Sequence, residues 1–138
     1  MNINLPTRRI RTDYFKTKTR EVTKYICVRD TLTKPEQAKT MTVFDVDTEH
    51  CRRGKLGVGY HFLILQDGTI VQCRALKTIG AHSRKFDQIS VAIGLVGGLD
   101  EKGDRLNTRT PEQLLALEWA IDSMRKEYPD AEVDDNPN

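Results

Sequence analysis

The sequence of 138 residues has no long apolar run, little net charge and only three cysteines. No segment approaches the roughly 18 apolar residues that a membrane-spanning helix needs, and the N-terminus lacks the apolar core of a signal peptide. A net charge of +2 gives no global field that would attract nucleic acid. We therefore expect a cytoplasmic chain without a membrane or nucleic-acid partner.

The cysteines Cys27, Cys51 and Cys73 are odd in number and not closely paired, which argues against a disulfide framework. We expect buried or half-buried free thiols. The hydrophobic fraction of 38% and charged fraction of 30% are ordinary for a globular protein. The length fits one domain that buries a core without disulfide or metal support.

Charge is uneven along the chain, and it suggests the domain boundaries. Residues 1–23 are predicted to form a basic N-terminal arm or edge segment, residues 24–133 the domain, and residues 134–138 an acidic tail. Two solvated termini of opposite sign explain this pattern better than a nucleic-acid arm, because no aromatic ladder is interleaved with the basic residues.

The local patterns predict a strand at residues 25–28 that Lys34-Pro35 ends, because proline offers no donor and restricts its predecessor. A helix is expected over residues 42–53, with Thr42 as N-cap and Gly54 as the C-terminal stop. Residues 60–66 and 69–74 read as a hairpin around a two-residue type I′ turn at Asp67-Gly68. That turn places Gln66 opposite Thr69.

The second half of the chain predicts a buried strand and a long helix. Residues 90–96 are nearly all apolar, as in a central strand covered on both faces, and Gly97-Gly98 ends the run. Thr110-Pro111-Glu112-Gln113 has the sequence of a helix start, with an N-cap hydroxyl and a capping-box glutamine. The predicted apolar face of this helix consists of Leu114, Leu117, Ile121, Met124 and Tyr128. Trp119 lies off that face and is expected to contact a different element. The predicted fold is α/β, a mixed central sheet flanked by helices.

Three segments together resemble a known enzyme family. They are Gly57-Val58-Gly59-Tyr60-His61-Phe62, Ala81-His82-Ser83 and Ile93-Gly94-Leu95-Val96-Gly97-Gly98. The pattern resembles the zinc-dependent N-acetylmuramoyl-L-alanine amidases, above all the phage-lysozyme type, which share a fold with peptidoglycan recognition proteins. The resemblance covers roughly residues 24–133 and implies the amidase-like fold.

The resemblance also implies where a zinc site should lie. Relatives hold zinc through a histidine at the end of the first strand and through a second histidine and a cysteine or aspartate near the C-terminus. Arg29 takes the position of the first ligand, and arginine offers only donors. No histidine follows His82 and no cysteine follows Cys73, so the ligand-bearing C-terminal segment is expected to be missing. Tyr60 matches the tyrosine that helps to stabilise the oxyanion in relatives, and here it is at most a vestigial catalytic residue.

The remaining histidines and cysteines do not predict another metal site. In the predicted hairpin register His61 faces Arg74, which puts His61 and Cys73 on opposite faces of the sheet. His50 and Cys51 are adjacent on a helix and diverge by about 100°. We therefore expect no cofactor, with zinc only if the chain is an active amidase.

The sequence supports two functional hypotheses. The first is a catalytically inactive amidase-like protein that binds a peptidoglycan fragment or a protein partner, such as a polymerase or another phage or host protein. His61 and His82 are its candidate substrate-binding residues, although a hydrogen-bonded strand histidine is the more ordinary role for His61, and His50 is expected to have only a packing role. The alternative is an active amidase, an endolysin, whose zinc-binding segment is missing from this chain.

Both hypotheses place the protein in the cytoplasm of a bacterial host, on a virion, or released on lysis. A homo-oligomer is also a candidate state. If the last strand is absent, a sheet edge near the groove is left open. The basic arm or a second copy of the chain would then be expected to cover that edge.

Overall fold

The structure, a computed structural model, describes residues 7–9 and 18–135. The predicted features at residues 1–6, 10–17 and 136–138 lie outside this description. Six strands form one sheet: β1 (Thr7–Arg9), β2 (Tyr25–Asp30), β3 (Phe62–Ile64), β4 (Ile70–Gln72), β5 (Ser90–Leu95) and β6 (Glu132–Asp135). The helices are α1 (Pro35–Ala38), α2 (Val43–Arg52) and α3 (Pro111–Glu127).

The sheet is mixed, and its strand order is β1-β4-β3-β5-β2-β6. Among the described strands β3 and β4 pair antiparallel, whereas the other neighbours are parallel. Every residue of β5 is buried, as its apolar sequence predicts for a central strand. The α/β fold with a mixed sheet between helices is thus confirmed.

Two apolar clusters lie on opposite faces of the sheet. One joins β-strand side chains such as Ile26 and Ile93 to Leu117 and Met124 of α3. The other joins Cys27, Leu63 and their neighbours to Val43 and Val46 of α2. Because strand side chains alternate between faces, one set of strands builds both clusters.

The helix starts predicted from sequence are present. Thr42 and Thr110 each accept a hydrogen bond from the backbone N–H three residues later, and Asp45 and Gln113 complete the two capping boxes. Gly54 has a φ of 85°, the left-handed conformation that commonly follows a helix end. Pro35 was predicted only to end a strand, but it also begins α1 because its fixed φ suits the first helical position.

The predicted hairpin register is wrong by one residue. Phe62 lies opposite Gln72, and the loop has three residues, since Leu65 N–H donates to the Thr69 carbonyl at 2.9 Å. Gly68 has a φ of 89° and its N–H donates to the Leu65 carbonyl, as in a turn followed by a left-handed glycine. The sequence Asp-Gly suits either loop length, and the longer one shifts every cross-strand pair.

The buried face of α3 is rotated from the prediction, although Leu117 and Met124 lie in the core and Ile121 and Tyr128 pack against it as predicted. Its buried side chains are Gln113, Ala116, Leu117, Ala120, Ser123 and Met124. Leu114 is 49% exposed, so it is not a core residue. Trp119 is 51% exposed, and no described residue covers its solvent-facing half. Small residues allow α3 to approach the sheet closely, and a search for large apolar residues overlooks them.

The sheet edge near the groove is not covered by the basic arm, as was expected if the last strand were absent. β6 covers β2 at the edge near the groove, whereas β1 of the N-terminal arm pairs with β4 at the opposite edge. Asp134 and Asp135, assigned to an acidic tail from sequence, belong to β6. Within residues 7–9 and 18–135, no helix has the length and apolar character to cross a membrane.

Candidate functional site

A groove of about 380 Å³ opens on the α2 side of the sheet, and we call it the groove throughout. It lies where β2 ends, where α2 ends and where the chain enters β3. Its lining residues are Arg29, Asp30, Thr31, Leu32, His50, Arg53, Lys55, Tyr60, His82, Ser83 and Phe86.

Tyr60 forms part of the groove wall and is only 7% exposed. Its ring lies against Gly94 of β5, where an added Cβ would come within 2.3 Å of Tyr60 Cδ2. Glycine at that position therefore makes room for the ring. Burial raises the pKa of Tyr60 to about 12, so the phenol stays protonated at neutral pH.

Two buried histidines flank Tyr60. The His50 ring lies 5.4 Å from the Tyr60 ring, edge to face, and the His82 ring lies 6.4 Å away. His50 Nδ1 accepts a hydrogen bond from Gly59 N–H at 2.8 Å. Burial lowers the pKa of both histidines to about 4, so both are neutral at physiological pH.

His82 carries a polar atom that the surrounding protein leaves unpaired. Its Nε2 lies 3.0 Å from the Ser90 hydroxyl and 3.5 Å from an Asp87 carboxylate oxygen. Its Nδ1 is buried and has no hydrogen-bond partner within the described part of the chain. The predicted place of His82 in the groove wall agrees with this geometry, and its contact with a ligand stays a prediction.

The mouth of the groove carries excess positive charge. Arg53 pairs with Glu49 at 3.3 Å, but both side chains are about half exposed. Lys55 has no carboxylate within ion-pair distance among residues 18–135, and its pKa is lowered by burial and then by the neighbouring charge of Arg53. An anionic group at this position would offset both effects.

Arg29 decides whether the zinc site implied by the family resemblance can form. Its Nη2 binds Asp134 Oδ2 at 2.9 Å, and its Nη1 donates to the carbonyls of Val28 and Asp134, each at 3.0 Å. A guanidinium has no lone pair to give a metal. Among the residues that the structure describes, no three His, Cys, Asp or Glu side chains are grouped to hold a metal ion. The described residues around Arg29 therefore do not fit zinc.

His61 lies outside the groove, which corrects its predicted role in substrate binding. Its side chain is fully buried, and its Nδ1 accepts from Ala92 N–H at 3.0 Å. Its Nε2 lies 2.7 Å from the Thr78 carbonyl and 3.3 Å from Arg20 Nη1. The Ala92 bond fixes Nδ1 as the acceptor, so Nε2 carries the proton and donates to Thr78. His61 is therefore a structural residue.

The corrected register brings His61 and Cys73 closer than predicted, yet it does not create a metal site. Cys73 N–H donates to the His61 carbonyl at 2.8 Å. The Cys73 thiol is buried, donates to the Val71 carbonyl, and has its pKa raised by burial to about 12. A protonated thiol in this setting is a packing group. Cys27 is also buried, whereas Cys51 is exposed, contrary to its prediction.

Several groove residues were not predicted from sequence. Arg53, Lys55 and Phe86 line the groove, and His50 was expected only to pack. The available signal near Lys55 was Gly54, whose left-handed φ follows the end of α2 directly before Lys55. Arg20, assigned to the arm, is buried and its Nη2 binds the Tyr128 hydroxyl at 2.9 Å.

Comparison with known sequences gives a consistent result. A family described as N-acetylmuramoyl-L-alanine amidase matches residues 18–136. The endolysin of Escherichia phage T7 is 35% identical over 111 residues, which cover 80% of this chain and 72% of that protein. The endolysin of Enterobacteria phage K11 is 39% identical over 84 residues, 61% of this chain and 56% of that protein.

A solved structure gives the same fold. A mutant of Drosophila PGRP-LB in complex with tracheal cytotoxin has a TM-score of 0.67 and 23% identity. The match covers 91% of this chain and 78% of that one. At this level of identity, the likeness establishes the architecture only.

Proposed function

The chain belongs to the N-acetylmuramoyl-L-alanine amidase family, and on that premise we propose that it binds a peptidoglycan-like ligand without cleaving it by the family's zinc route. Endolysins of this family are peptidoglycan hydrolases. Function resides in the site rather than in the fold, so the groove of this chain has to be judged on its own residues.

The ion pair of Arg29 with Asp134 carries the proposal. It places a permanent cation, with side-chain exposure of 8%, where the family resemblance puts the first metal ligand. The guanidinium offers only donors, so it supplies no ligand to a metal at that position. No hydrolytic step through zinc is therefore assigned to these residues.

The groove nevertheless retains features of a ligand site. Lys55 and Arg53 offer donors to a carboxylate, and the rings of Tyr60 and Phe86 offer apolar surface. The His82 ring forms part of the groove wall, with its Nδ1 buried behind the surface. The tracheal cytotoxin complex of PGRP-LB supports a cell-wall fragment as the ligand class.

The binding proposal is tested by titrating the protein with a soluble muramoyl-peptide in a calorimeter. We expect saturable binding that weakens by about fivefold in Lys55→Ala, because one partly exposed charged contact is worth roughly 1 kcal/mol. Lys39→Ala is the matched control, since Lys39 is exposed and lies outside the groove. No binding, or equal losses in both variants, would refute the proposal.

The same sample separates binding from catalysis. We expect less than stoichiometric zinc by elemental analysis and no release of peptide from muramoyl-peptide. One zinc per chain together with zinc-dependent release would instead refute the inactive reading and support amidase activity, the alternative.

The protein partner expected from the family resemblance stays a prediction, as does residence in the host cytoplasm. A pull-down from infected-cell lysate with groove-blocking muramoyl-peptide present would test the partner. Capture that the peptide does not reduce would assign the partner to another surface.

A further inference from the structure

Leu32, in the loop after β2, has a backbone conformation that leucine rarely adopts. Its φ is 59°, the one positive value outside glycine within residues 7–9 and 18–135. The Cβ atom makes this left-handed region costly, and such residues persist only where their surroundings hold them in place. Residues of this kind are concentrated at ligand sites, so the side chain of Leu32 has to be examined for a role.

Hydrogen bonds on both sides hold Leu32 in this conformation. Thr31 N–H donates to the Leu95 carbonyl at 2.9 Å, and Thr33 N–H donates to the Gly97 carbonyl at 3.0 Å. Gly97 N–H in turn donates to the Thr31 hydroxyl at 3.0 Å. The loop thus continues the pairing of β2 with the end of β5, and Leu32 is fixed between two paired residues.

Leu32 lies where the groove meets two further cavities. One has a volume of about 460 Å³ and is lined in part by Arg105 and Arg109, and we call it the arginine cavity. The other has a volume of about 500 Å³ and is lined in part by Thr33 and Thr40, and we call it the threonine cavity. Leu32 lines the groove and both of these cavities. A ligand that extends from the groove into either cavity therefore passes Leu32.

Leu32 is the apolar residue at both junctions. The groove shares Asp30 and Leu32 with the arginine cavity, and it shares Thr31, Leu32 and Arg53 with the threonine cavity. Leu32 is 36% exposed, so part of its side chain is open to a ligand. Burying this part against methyl groups is favourable, whereas burying it against sugar hydroxyls leaves those hydroxyls without partners. The alanine methyl groups of a muramoyl-peptide stem suit this contact better than its glycan does.

On the premise of the proposed function, we propose that Leu32 is a specificity-determining residue that selects muramoyl-peptides with a long peptide stem. Stem residues beyond the second leave the groove past Leu32 and bury its exposed part. A second sugar does not contact Leu32.

Calorimetric titration with muramoyl-dipeptide, muramoyl-pentapeptide and N-acetylglucosaminyl-muramoyl-dipeptide tests the proposal. We expect the parent chain to bind the pentapeptide about fivefold more tightly than the dipeptide, because only the exposed part of one leucine is newly buried. Leu32→Ala should lose this preference, whereas Leu32→Met should retain it. Any gain from the second sugar should be the same in all three chains. Leu115→Ala is the control, since Leu115 is 70% exposed on α3 and lines none of the three cavities.

Thermal melting of Leu32→Gly and Leu32→Ala separates the backbone of Leu32 from its side chain. Glycine adopts a φ of 59° without the steric cost of a Cβ atom. Leu32→Gly should therefore melt about 3 °C above Leu32→Ala, the reverse of the usual order of these two residues. Both variants should lose the preference for the pentapeptide. A lower melting temperature for Leu32→Gly would contradict the left-handed placement of Leu32 and overturn the proposal.

A preference for the pentapeptide that Leu32→Ala retains would also overturn the proposal. So would equal binding of the two stems by the parent chain, although dipeptide binding that depends on Lys55 would then leave the proposed function intact. Absence of binding to all three ligands would refute both the proposed function and the role of Leu32.

Discussion

Among single residues, Arg29 links the family resemblance to the stability of this chain. Its guanidinium joins β2 to β6 by two hydrogen bonds, to the carbonyl and the carboxylate of Asp134, and makes a third bond to the Val28 carbonyl of its own strand. The ion pair is largely buried on the arginine side and partly exposed on the aspartate side. Removing one partner of a pair in this environment is costly, because it leaves the other charge unpaired where water is scarce.

Arg29→Met should lower the free energy of unfolding by about 2 kcal/mol, because it leaves the Asp134 carboxylate without its partner at a partly buried site. Urea denaturation measures the loss. Arg52→Met provides the control, since Arg52 pairs with Glu49 at an exposed site and should cost less than about 0.5 kcal/mol. Adding Asp134→Leu to Arg29→Met should recover part of the loss. Equal costs at both arginines would refute a structural role for the buried pair.

At the level of elements, Gln113 connects α3 to the centre of the sheet. Its Nε2 donates to the carbonyls of Ile64 and Val96, just where β3 and β5 end, and its Oε1 accepts from Thr110 N–H. The side chain is fully buried. The Ile64 carbonyl also accepts from Val96 N–H, so Gln113 is the partner on which the Val96 carbonyl and the Thr110 N–H depend.

Gln113→Met keeps the side-chain volume and removes all three bonds, so it should lower the free energy of unfolding by about 2 kcal/mol, roughly 1 kcal/mol for each of the two backbone groups left without a partner. Gln113→Glu keeps an acceptor for Thr110 N–H and loses both donors to the strand carbonyls. Chemical denaturation of the two variants and of Glu118→Gln, an exposed change on the same helix, measures the effect. A loss in Gln113→Met no larger than in the control would contradict the role.

Gln113 also shows how far sequence could predict these elements. Its capping-box role followed from Thr110 three residues earlier, but its bonds to two strand ends depend on contacts distant in sequence. The central strand was predicted because β5 is continuously apolar. The hairpin register was missed because Asp67-Gly68 suits two loop lengths. In the groove, Tyr60 and His82 were predicted from motifs, whereas Lys55 is placed by the fold.

For the whole molecule, the three histidines determine how stability varies with pH. Burial lowers the pKa of His50 and His82 to about 4 and that of His61 to about 3. In the unfolded chain each would titrate near its ordinary value of about 6.5. Between these values the unfolded chain binds more protons than the folded one, so the free energy of unfolding rises with pH through this window.

The chain should therefore be most stable above about pH 6.5 and should lose stability steadily toward about pH 4.5, with each histidine adding a slope of up to about 1.4 kcal/mol per pH unit. Urea denaturation across that range measures the slope. His50→Asn is the informative variant, because the asparagine oxygen can still accept from Gly59 N–H but cannot titrate. The free energy of unfolding of His50→Asn should rise less steeply with pH than that of the parent chain over the same window. If the parent chain is equally stable at about pH 4.5 and about pH 6.5, the histidines take up protons while the chain stays folded. The assignment of His61 as buried and neutral would then be wrong.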